Sequence, residues 1–116
     1  MPKGRQAGSV RWGGQRSYWG AVMNIRFYID PETNLPHILR HEVDENEVAE
    51  VLMCPGEDRP GKEGARVAIG QTIAGRYLRV IYVPDPEPNS VFVITAYELK
   101  GKPLKAYKQR RRGGRR

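Results

Sequence analysis

Few side chains in this 116-residue chain are of types that do covalent or acid–base chemistry, and most of those that remain are cations. His37 and His41 are its two imidazoles and Cys54 its one thiol. The histidines stand at helical spacing, but the acids near them read as helix surface, so a metal centre does not follow and no metal or cofactor is expected. Cys54 closes an apolar helical run, where a cysteine more often packs than ionises. Gly56 and Gly61 fall in proline-rich turns, which leaves no glycine loop to cradle a phosphate. Lys and Arg, by contrast, number 20 against 13 Asp and Glu. Cleaving RNA without a metal needs a base for the attacking hydroxyl, an acid for the leaving oxygen and cations for the charge that develops on phosphorus. His41, Arg76, Arg79 and Tyr97 are the candidate catalytic side chains, with Lys105 as a further cation. Each has a plainer role open to it: a capping or inter-element hydrogen bond for His41, surface solubility for Arg76, core packing for Tyr97.

The cations are unevenly placed. Residues 1–22 hold Lys3, Arg5, Arg11 and Arg16 with no acid, residues 100–116 hold nine cations with no acid, and residues 23–99 hold seven basic side chains against all 13 acids. The middle is acidic and the arms are basic. A run such as residues 105–116 repels itself and does not pack as an isolated segment. It is either a solvated tail or an arm that follows a phosphate backbone without reading its sequence. Lys105, Lys108, Arg110, Arg111 and Arg112, with Arg66 from the middle, are the candidate RNA-binding residues. At the other end Trp12, Tyr18 and Trp19 alternate with Gly and Arg, a composition suited to stacking on unpaired bases and expected to be flexible. One unpaired cysteine, with no apolar run long enough to span a bilayer or lead export, points to a cytoplasmic protein with no membrane partner.

The elements that must position these residues can be read in order. Residues 25–29 form a β-rich run ended by Asp30-Pro31, and Pro36 opens a short helical turn over 37–41. Asp44 followed by Glu47 three residues on is a helix start, and the spacing predicts a helix over Glu45–Met53 that buries Val48, Val51 and Leu52 and leaves Glu45, Glu47 and Glu50 wet. Residues 55–64 are turn chemistry throughout and read as an exposed loop. Three antiparallel strands follow over 66–72, 76–83 and 91–97, with alternation that puts Arg76 and Arg79 on opposite faces. A last helical segment over 104–112 docks through Leu104, Tyr107 and the stem of Lys108. The sum is an α+β domain over 23–108, with an extension over 1–22 and a basic tail over 109–116. Its helices are expected on one face of the sheet, and Arg76 and Tyr97 are expected to border a groove.

The stretch from His37 to Pro55, with a histidine before a capped helix that ends near proline, resembles the helical signature of BrnT-type toxins. Residues 66–82, with Gly70-x-Thr72 and Gly75-Arg76-x-Leu78, resemble that family's paired strands, and Val93-Ile-Thr-Ala-Tyr97 stands where the family has its last strand. Tyr97 replaces the arginine of that strand, and Lys105 and Lys108 replace acids of the final helix. The resemblance covers residues 24–108. It implies a RelE-like fold, metal-independent endoribonuclease activity and an antitoxin protein as partner, as in a bacterial type II toxin–antitoxin pair. A noncatalytic RNA-binding module on the same fold remains the alternative, and an interaction protein whose basic arms steer assembly is a third.

Overall fold

The computed structural model describes residues 8–12, as backbone, and residues 23–113. Its centre is a mixed sheet of six strands. Strands β1 (Gly8–Trp12) and β2 (Met23–Phe27) are antiparallel neighbours. Strands β5 (Glu57–Pro60), β6 (Arg66–Gln71), β7 (Tyr77–Pro84) and β8 (Ser90–Glu98) form an antiparallel series, and β2 joins it beside β8 in parallel register. The spatial order is β1-β2-β8-β7-β6-β5. Between β2 and β5 the chain makes a small arch of β3 (Ile29–Asp30) and β4 (Leu35–Pro36), a 3-10 turn over His37–His41 and helix α1 (Glu45–Met53). Helix α2 (Gly101–Gly113) is the last of the described elements.

α1 begins where its local chemistry dictates. The Asp44 carboxylate accepts from the Glu47 N–H at 2.8 Å, and the Glu47 carboxylate accepts from the Asp44 N–H at 3.1 Å, so two orphan donors of the first turn are satisfied reciprocally. Its apolar face packs on the sheet. Val48 and Val51 are fully buried with Ile25 and Phe27 of β2, Leu78 and Val80 of β7 and Val93 of β8. Each such side chain contributes about 1.5–3 kcal/mol by leaving water. The outer face is less wet than its composition predicts, because Glu47 pairs with Arg76 and Glu50 accepts from the Ile73 N–H.

Two expectations need correction. The helices do not share one face. Tyr107 and Leu104 of α2 pack with Ile69, Val67 and Tyr77, residues that alternate with the side chains under α1, so α2 covers part of the opposite face. Residues 55–64 are also not simply a loop, since they contain β5. Its turn-forming sequence is overridden by distant partners: the Tyr82 hydroxyl donates to the Asp58 carboxylate at 2.7 Å, and Arg66 donates to the same carboxylate at 3.0 Å. The basic segment from residue 109 continues α2 as far as Gly113. The extension read over 1–22 lies outside the described residues apart from β1.

Candidate nucleic-acid interface

Cross-strand register fixes which side chains meet on the α2 face. Glu57 opposes Ile69, Ile69 opposes Arg79, and Arg79 opposes Tyr97, giving one row across four strands. The next row runs Arg59, Val67, Ile81, Thr95. A register irregularity between Ile81 and Tyr82 interrupts the alternation of β8 at Ile94, so that Val93 and Ala96, three residues apart, both reach the α1 core. Directly opposed residues point to the same side, with strands about 4.8 Å apart, so each row is a line of contiguous side chains.

α2 lies over the β5–β6 end of these rows and leaves a groove of about 670 Å³ between helix and sheet. Its floor is aliphatic, with Val67, Ile69, Ile81 and Leu99, and its charged lining is Arg59, Lys62, Arg79 and Arg110. No Asp or Glu lines it. Arg79 Nε is buried without a hydrogen-bond partner among the described residues, so the groove retains an unused donor, and Thr95 Oγ1 on the same sheet face is likewise buried without one. On its other flank α2 borders a recess of about 470 Å³ whose charges are Lys108, Arg111 and Arg112, again with no acid in the lining.

α2 is anchored by charge as well as by Tyr107. Arg110 donates to Glu57 through Nε at 2.6 Å and Nη2 at 3.0 Å, a bidentate pair that holds the Glu57 carboxyl below the usual carboxylate range. Arg111 donates to the Gly56 carbonyl at 2.9 Å, and Lys108 Nζ sits 5.1 Å from the centre of the Tyr77 ring. Lys105 and Arg112 are exposed on the helix.

The side chains singled out from sequence separate into two groups. Arg79 and Tyr97 are opposed on the α2 face, and the His41 ring lies 6.0 Å from that of Tyr97 at 66°. Arg76 is elsewhere. Its guanidinium donates to both oxygens of Glu47 at 2.9 Å, to the Glu42 carbonyl at 3.0 Å and to Glu98 at 3.4 Å. The expected groove between Arg76 and Tyr97 is therefore corrected to one beside Arg79, the arginine whose parity matches Tyr97. Arg66 is engaged with Asp58. Arg59 and Lys62 were not singled out, because they stand among glycines and prolines; their signal is two cations of one turn-rich segment, and only β5 brings them to the groove.

Beyond Tyr97 a series of rings continues along the end of the sheet. His41 lies 5.3 Å from His37, and His37 lies 6.1 Å from Tyr28. Asp30 tethers this segment. Its carboxylate accepts from the Glu32 N–H, from Arg40 Nε and from His37 Nδ1, and the Glu32 and Arg40 hydrogen bonds hold its pKa below the ordinary value against the opposing effect of burial. No family model, curated protein or solved structure matches the chain.

Proposed function

We propose that this protein binds RNA through the groove between α2 and the sheet, with the exposed cations of α2 contributing general affinity for the phosphate backbone. One observation carries the reading. Both hollows beside α2 are lined by cations and by no carboxylate, and Arg59, Lys62 and Arg79 come from a stretch, residues 23–99, in which acids outnumber bases. Lysines and arginines gathered in this way release condensed counterions from a polyanion, which makes binding tight at low salt and weak at high salt. The aromatic side chains beside Arg79 favour RNA with unpaired bases, which is read by stacking more than by groove contacts. Cytoplasmic residence belongs to the same proposal.

A second reading, a metal-independent endoribonuclease toxin neutralised by an antitoxin, is favoured by His41 and Tyr97 standing together one strand from Arg79. On this reading Arg79 steadies the charged phosphorane, while His41 and Tyr97 exchange the protons of attack and departure. The resemblance of residues 24–108 to BrnT-type and RelE-like toxins supports it.

Labelled RNA of mixed sequence, incubated with the purified protein in EDTA, tests both. Binding with intact RNA is the outcome for a binding module. Fragments that disappear with His41→Ala, while binding persists, establish the endoribonuclease activity on which the second reading rests. Absence of binding at low salt overturns the proposal.

A further inference from the structure

The rings of Tyr28, His37, His41 and Tyr97 stand outside the buried core cluster, and their series starts at Tyr97, where the row through Ile69 and Arg79 ends. We infer that the protein takes an unpaired RNA strand across its sheet, with one phosphate on Arg79 and the adjoining bases on Tyr97 and His41, and that it excludes duplex from this track. The inference rests on the RNA reading and adds the form of RNA and the residues that distinguish it.

Arg79 sits on the floor, not on the rim. Its Nε is buried with no partner and its neighbours on either side of the row are Ile69 and Tyr97. A phosphate reaching that donor has to descend between α2 and the sheet. An unpaired strand is slender enough to do so, whereas a duplex is a broad cylinder that touches only rim cations such as Arg59, Lys62 and Arg110. Tyr97 stands one strand away from Arg79, about 4.8 Å across the sheet, so a base attached to the seated phosphate arrives over the phenol. His41 is exposed and Tyr28 is 41% exposed, which leaves ring surface open for the following bases. Cations along a groove followed by rings in series is the arrangement by which proteins hold single strands without reading sequence.

The test uses the full chain and fluorescence anisotropy at low salt, with a labelled unpaired RNA 12-mer and the same strand annealed to its complement. The unpaired form should bind at least about tenfold more tightly. Loss of a stacking ring costs about 1–3 kcal/mol per base, so Tyr97→Ala should weaken unpaired binding roughly fivefold to 150-fold. Duplex affinity should stay unchanged, and Tyr97→Phe, which keeps the ring, should restore the unpaired affinity. Arg79→Met should likewise weaken unpaired binding while sparing duplex binding. Equal affinity for the two forms, or parallel loss of both in Tyr97→Ala, overturns the inference and leaves RNA binding standing. Failure to bind either form overturns the RNA reading itself.

Discussion

A single methyl group added at Gly56 tests how α2 is seated. The backbone there is outside the left-handed region that demands glycine, since the glycines with positive φ among the described residues are Gly64, Gly75 and Gly101. Space is the constraint: a Cβ at Gly56 would stand 1.9 Å from Tyr107 Oη, against the 3.4 Å of ordinary contact, so the phenol must retreat by about 1.5 Å. It cannot swing aside freely, because Tyr107 is 5% exposed and its ring meets that of Tyr77 edge-on at 6.0 Å. The helix itself must shift, disturbing the Arg111 bond to the Gly56 carbonyl. Overpacking of this kind costs about 1–3 kcal/mol. Tyr107→Phe deletes Oη and leaves Cζ 3.1 Å from the new Cβ, a gap that a few tenths of an ångström relieves. In that background Gly56→Ala should be close to neutral, helped by the smaller entropy of the unfolded chain, about 0.4–1 kcal/mol. Urea unfolding of the four proteins of the cycle measures the coupling, which should reach at least about 1 kcal/mol. The same loss in both backgrounds, or none in either, would refute this seating of α2.

Arg76→Met should destabilise the fold by about 1.5–3 kcal/mol, since it strips charge-assisted hydrogen bonds from Glu47 and Glu98. RNA affinity should not change, and a large loss of binding in a folded Arg76→Met protein would return that arginine to the interface. Asp44→Ala removes the reciprocal cap of α1 and should cost about 1 kcal/mol in urea unfolding, with a negligible effect counting against the cap. Burial, reinforced by the bond to Asp58, raises the Tyr82 phenol to about 12 from 10.0. The unfolded chain then loses its proton first, so stability is complete below pH 10.0 and falls as pH rises towards about 12, a trend that ultraviolet titration should follow and Tyr82→Phe should abolish. Glu57 shifts the other way, lowered chiefly by its hydrogen bonds from Arg110. Its stabilisation of α2 is present above pH 4.5 and lost as pH falls below that, and Glu57→Gln should abolish the acid-side change in hydrogen exchange of α2.

Local chemistry was legible and the choice of face was not. Asp44 and Glu47 announce the start of α1 because a capping box is complete within four residues. Alternation along β7 separates Arg76 from Arg79, since strand parity is a property of the strand alone. Nothing within residues 101–113 states which side of the sheet they will cover; that depends on Ile69 and Tyr77, far earlier in the chain, leaving an apolar patch that α1 does not reach. β5 was hidden for a similar reason, as Asp58 is ordered by Tyr82, 24 residues away. The parallel union of β2 with β8 joins the two ends of the core and has no local signal at all. The candidate site shared this division: Arg79, Tyr97 and His41 were found by residue type, while Arg59 and Lys62 become visible only when β5 joins the sheet.

The salt dependence of RNA affinity tests the central claim most directly, with unpaired RNA and two proteins, the unmodified chain and the triple variant Arg59→Gln, Lys62→Gln, Arg79→Gln. Each phosphate contact on a single strand contributes about 0.7 to the slope of log affinity against log salt, so loss of three cations should flatten it by about 2. A slope that is unchanged in the triple variant would contradict the assignment of the groove as the RNA site.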